Sequence, residues 1–176
     1  MMPRTRFAKS AFICVMEKIK DILSAFLADA GKTVFLAIGS ELRGDDAAAL
    51  VTAAKLEEAA LPGNFKVLLG YTAPENLTGE IKRFAPDRLI ICDAADSASA
   101  PGEISIISAD DIQGASFSTH TMPMNIFIDY ISRDNPCKAL IVGIQPEAVE
   151  FGAGLTDKVK KAAENLSEII LSCLSR

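Results

Sequence analysis

Apolar positions set the elements of this chain before any other feature is considered. Ile19, Ile22, Leu23, Phe26 and Leu27 recur at three- and four-residue steps, which predicts an amphipathic helix over 16–30 that ends near Gly31. Residues 34–39 form an apolar run closed by Gly39, the pattern of a strand buried on both faces. An Ala, Leu and Glu-rich stretch over 47–60 predicts a helix stopped by Pro62-Gly63. The alternation continues with a strand at 65–69, a helix at 77–84 and a second fully apolar strand at 88–93. A looser strand at 103–107 has the pattern of a sheet edge. A helix at 124–131, a third apolar strand at 139–144 and a closing helix over 156–174 follow. Strands alternating with helices imply an α/β fold whose mostly parallel sheet is covered on both faces.

The 176 residues suit one domain with a real core, and neither a repeat nor a linker interrupts them. The net charge of -5, with Lys and Arg scattered, argues against nucleic acid as a partner. Cys14, Cys92, Cys137 and Cys173 make no CxxC pair, so neither a zinc knuckle nor a dithiol motif is visible, and a reducing cytoplasm suits them. No apolar run reaches the roughly 20 residues needed to span a bilayer. The patch at 11–16 is too short for a secretory signal, and Glu17 to Lys20 bring charge straight back. Residues 1–15 read as an upstream extension, with Met16 as the expected natural start.

In an open α/β sheet, ligands bind beyond the carboxyl ends of strands, near the switch in strand order. The residues to weigh are therefore Asp45 and Asp46 after the first strand, Asp93 closing the 88–93 run, and His120, the only histidine, ahead of the 124–131 helix. Gly39 and Gly44 have P-loop spacing, but Asp45-Asp46 stand where Lys and Ser/Thr would be and would repel a triphosphate. Carboxylates with an imidazole suit a divalent metal such as nickel or zinc. Taken alone, the loop reads more readily as helix capping, and one Asp can cap while its neighbour faces a ligand. His120 alone reads as a satisfied backbone partner. One His rules out H-E-x-x-H, no serine sits in G-x-S-x-G, and no cysteine stands at a strand end near His120.

At these residues the chain resembles the hydrogenase maturation endopeptidases, which remove a C-terminal peptide from nickel-iron hydrogenase large subunits. The resemblance runs from about Val34 to the C-terminus. It is carried by Ile38-Gly-Ser-Glu-Leu-Arg-Gly-Asp-Asp46, Thr72-Ala-Pro-Glu-Asn76, Leu89-Ile-Ile-Cys-Asp-Ala94, Pro101-Gly-Glu-Ile104, Thr119-His-Thr-Met-Pro123 and Gly143-Ile-Gln-Pro146. The branch serving formate-hydrogenlyase-type and other group 4 hydrogenases is the most similar.

The resemblance implies a three-layer α/β/α sandwich, with a five-stranded sheet carrying one antiparallel edge strand and the first and third strands side by side. It implies Asp46, Asp93 and His120 as the residues that contact nickel and serve cleavage. On this resemblance the nickel is expected to be carried by the substrate, with the free protease holding metal weakly. The expected partner is the hydrogenase large-subunit precursor, met by a cytoplasmic monomer without membrane insertion. Residues 34–176 would form the peptidase domain and residues 1–33 an extension. The rival readings are a non-proteolytic nickel checkpoint that inspects the precursor and a related α/β peptidase with another substrate. Ser40 replaces the family's usual Asn, and Ala47 and Ala49 replace its glycines.

Overall fold

Runs with no polar side must be covered on both faces, and the computed structural model shows how this is done. It describes the backbone of residues 5–108 and 123–175, and the side chains of residues 16–106 and 123–175. In chain order the elements are α1 (Thr5–Phe26), β1 (Thr33–Ile38), α2 (Ala48–Glu57), β2 (Phe65–Tyr71), α3 (Thr78–Phe84), β3 (Arg88–Ala94), β4 (Ile104–Ser108), α4 (Met124–Ser132), β5 (Lys138–Ile144) and α5 (Asp157–Leu174). The sheet order is β2-β1-β3-β5-β4. All pairs are parallel except β4 with β5, so the looser fourth strand is the antiparallel edge.

The pleat sorts side chains between two cores. Phe35, Ala37, Ile90, Cys92, Leu140, Val142 and Ile144 pack under α1, α2 and α5. Val34, Leu36, Ile38, Leu89, Ile91 and Ile141 pack under α3 and α4. The three-layer α/β/α arrangement expected above is the observed one.

The first helix differs from its predicted limits, 16–30. It reaches back at least to Thr5, the first described residue, with no Gly or Pro to break it, and stops at Phe26. Its end is set from outside. The buried Arg88 guanidinium donates to the carbonyls of Phe26 (3.2 Å) and Asp29 (3.0 Å), pairs with the Asp29 carboxylate, and donates through Nε to Thr33 Oγ1 (3.2 Å). A cation thus takes the carbonyls left open at the helix end and ties them to the start of the sheet. Ile19 and Leu23 of α1 enter the same core as α2 and α5.

Arg88→Ala should therefore destabilise the fold by about 2–3 kcal/mol, because it strands carbonyls at the α1 end. At ~2–4 °C per kcal/mol for a chain of this size, the melting midpoint should fall by roughly 4–12 °C. An unchanged midpoint in a thermal scan would refute the tie.

Candidate active site

The chain runs from β1 outward to β2, then crosses back past β1 to β3. The strand order therefore reverses between β1 and β3, and their carboxyl ends form the switch-point crevice. Asp46 lies in the short 3-10 turn Gly44–Ala47 just beyond β1, and this turn packs against β3. Asp93 is the penultimate residue of β3, fully buried and paired in register with Gly143 of β5. Its pleat position matches Leu89 and Ile91, toward the α3 and α4 layer. The two acids thus occupy the same end of adjacent strands.

The turn that carries Asp46 is folded back on itself. Gly39 has φ +142, and a Cβ there would stand 1.9 Å from the Asp46 carbonyl oxygen. Only a residue without a side chain permits that approach. The Ser40 N–H donates to the same carbonyl (3.3 Å), and the Asp46 N–H donates to Arg43 O (3.0 Å). Ser40 Oγ accepts from the Leu42 N–H (3.3 Å), so this hydroxyl serves the turn itself. The P-loop-like glycine spacing is thereby explained by backbone packing, with no phosphate needed.

Asp45 departs from the capping reading. Neither the turn nor α2 has a side-chain cap bond. The fully buried Asp45 carboxylate instead reaches the loop between β5 and α5. It accepts from Glu147 N (2.8 Å), Ala148 N (2.9 Å), Thr156 N (2.7 Å) and Thr156 Oγ1 (3.0 Å). Its own N–H donates to Ala148 O (2.8 Å). A carboxylate at the entry to α5 also suits the positive end of that helix. Gly44 allows the contact: at φ +51, its Cβ would meet Ala148 O at 2.6 Å.

Gln145, part of the Gly143-Ile-Gln-Pro146 segment, organises the neighbouring loop. Its Oε1 accepts from Ser97 N (2.8 Å), Ser97 Oγ (3.2 Å) and Ser99 N (3.3 Å), and its Nε2 donates to Asp96 Oδ1 (3.3 Å). The available signal was a polar residue closing an apolar strand, the same signal that marked Asp93.

His120 lies outside the described residues. Among the described residues no group of three His, Cys, Asp or Glu side chains is arranged to hold a metal. Burial pushes the Cys92 thiol far above its ordinary value, aided by the Asp93 charge, and Cys92 belongs to the core on the α1, α2 and α5 side. Burial, with Asp87 nearby, raises Cys137 to about 11. Neither is an activated nucleophile. A cavity of about 520 Å³ opens at the opposite end of the sheet, but its one carboxylate, Asp29, is held by Arg88.

The fold recurs among proteins that mature hydrogenases. The family description "Hydrogenase maturation protease" matches residues 51–173. The hydrogenase 3 maturation protease of Escherichia coli is 40% identical over 134 residues, 76% of this chain and 85% of that protein. The crystal structure of a [NiFe] hydrogenase maturation protease from Thermococcus kodakarensis superposes with a TM-score of 0.81 at 28% identity, covering 88% of this chain and 99% of the other. The solution structure of an Escherichia coli endopeptidase gives 0.69 at 39% identity, covering 78% and 87%. This chain belongs to the hydrogenase maturation protease family.

Asp45→Asn should cost about 3 kcal/mol, since an amide can replace only part of the acceptor set and each charge-assisted bond is worth roughly 1.5 kcal/mol or more. The expected fall in urea midpoint is roughly 1–3 M. A midpoint equal to the parent's would contradict the clamp. The raised thiols predict slow alkylation of Cys92 and Cys137 in the folded protein at about pH 8, where thiolate is scarce. Cys137 should speed up as pH approaches about 11. Rapid native labelling of Cys92 by mass spectrometry would show that its strand opens.

Proposed function

We propose that this protein is the endopeptidase that removes a C-terminal peptide from the nickel-loaded precursor of a hydrogenase large subunit. The observation that carries this reading is the pairing of β1 with β3, which brings the chain positions of Asp46 and Asp93 to one end of adjacent strands. Membership of the protease family supplies the reaction class. His120 is the proposed third contact. The chain tethers it three residues from Pro123, and consecutive Cα atoms are about 3.8 Å apart.

In this reading nickel arrives as part of the substrate. Two carboxylates and an imidazole are normal donors for it, and three ligands leave positions open for the donors of the precursor. Asp46, Asp93 and His120 grip the ion and hold the precursor tail in register for hydrolysis. Nickel held there would supply one further means of hydrolysis, since a bound metal lowers the pKa of a water on it. Unpaired Cys92, Cys137 and Cys173 support a reducing compartment, the cytoplasm, as the place of action. Among the described residues no helix is long and apolar enough to cross a membrane.

Asp46→Asn, Asp93→Asn and His120→Ala should each abolish shortening of the precursor on a gel while the circular-dichroism spectrum stays that of the parent. Normal processing by all three would remove the site assignment. Nickel-free precursor should remain uncut under conditions that process the loaded form. Equal cleavage of both would end the nickel-readout mechanism, and a stable uncut complex would favour a checkpoint role.

A further inference from the structure

The loop between β5 and α5 does more than close the fold. Because β3 lies between β1 and β5, a loop bonded to Asp45 beyond β1 must pass the carboxyl end of β3, where Asp93 sits. Its tip turns two apolar side chains outward, on either side of the exposed Glu150. Phe151 is 80% exposed, Val149 38% and, on the facing acid turn, Leu42 61%. These three are not loose side chains on a slack loop. The Gly152 N–H donates to Leu42 O (2.8 Å), and the Ala153 N–H donates to Glu150 O (3.2 Å) across the turn that presents Phe151. Gly152, at φ +79, supplies the left-handed bend. The Asp45 bonds hold the base of the loop, and Lys158 pairs with Glu147 (2.7 Å) beside it. Such bracing keeps large apolar side chains in water beside the acids, where exposed apolar groups mark a protein contact.

We infer that Leu42, Val149 and Phe151 form the docking lip for the large-subunit precursor, which seats an apolar segment on it as its tail enters toward Asp46 and Asp93. The identity of the partner rests on the peptidase reading above. The surface is continuous with the proposed site: the turn that carries Asp46 also carries Leu42, and the loop that carries Phe151 is hydrogen-bonded to both of its ends. Phe151, at the tip of a rigid turn, is the natural anchor, since a preorganised aromatic loses little freedom on burial.

The test is a binding titration of labelled, nickel-free large-subunit precursor with the full chain and its variants. Phe151→Ser should raise Kd by about tenfold or more, equivalent to about 1.4 kcal/mol. Leu42→Ser should raise it less, Phe151→Leu should restore most of the affinity, and Ile22→Ser, exposed on α1, should change nothing. Melting midpoints should match the parent throughout. Parent-like affinity of Phe151→Ser overturns the lip, as does failure of the parent to bind or a Phe151-dependent dimer whose loss leaves precursor binding intact. Cleavage of nickel-loaded precursor by the parent is read separately. No cleavage alongside Phe151-dependent binding would refute the peptidase and leave the lip standing.

Discussion

A carboxylate with no solvent around it must find its donors inside the protein, and Asp45 finds them in one loop. Three backbone N–H groups and a hydroxyl converge on it, so the path of residues 147–156 is set by a single side chain. The same residue lies next to Asp46, so whatever fixes Asp45 also fixes the backbone from which Asp46 projects. Gly39 restrains that backbone from the opposite side through its close approach to the Asp46 carbonyl. The candidate site is thus held between a buried charge and a missing side chain.

The two restraints have different strengths. The glycine restraint is steric and absolute at its distance, because no Cβ fits 1.9 Å from an oxygen. The Asp45 restraint is electrostatic and depends on the dry surroundings that make each of its bonds count. Together they explain why an acid turn with no capping side chain of its own still has a defined shape.

Much of the architecture was legible in the sequence because β1, β3 and β5 carry no polar face and had to be sandwiched. The weaker alternation at 103–107 correctly marked the edge strand. The limits of α1 were not legible, since its stop depends on Arg88, a residue more than sixty positions away whose sequence neighbours suggest only the start of a strand. Asp93 stood out as a charge ending an apolar run, and β1–β3 adjacency followed from the resemblance. The role of Asp45 was missed because local rules offer a cap for any Asp before a helix, while its real partners follow the last strand. Gln145 escaped for the same reason, as its partners lie in the 96–99 loop.

The Asp45 bonds join positions 102, 103 and 111 residues apart. Such long closures form late, after the intervening chain has been gathered. During synthesis, at roughly 5–20 residues per second, the acid turn has left the ribosome well before residues 147–156 exist to receive it. A chain truncated before Glu147 would keep Asp46 and Asp93 in sequence and lack the donors that shape the turn carrying Asp46. The acid turn therefore takes its shape only after residues 147–156 have been made, so its geometry reports that synthesis has passed the last strand.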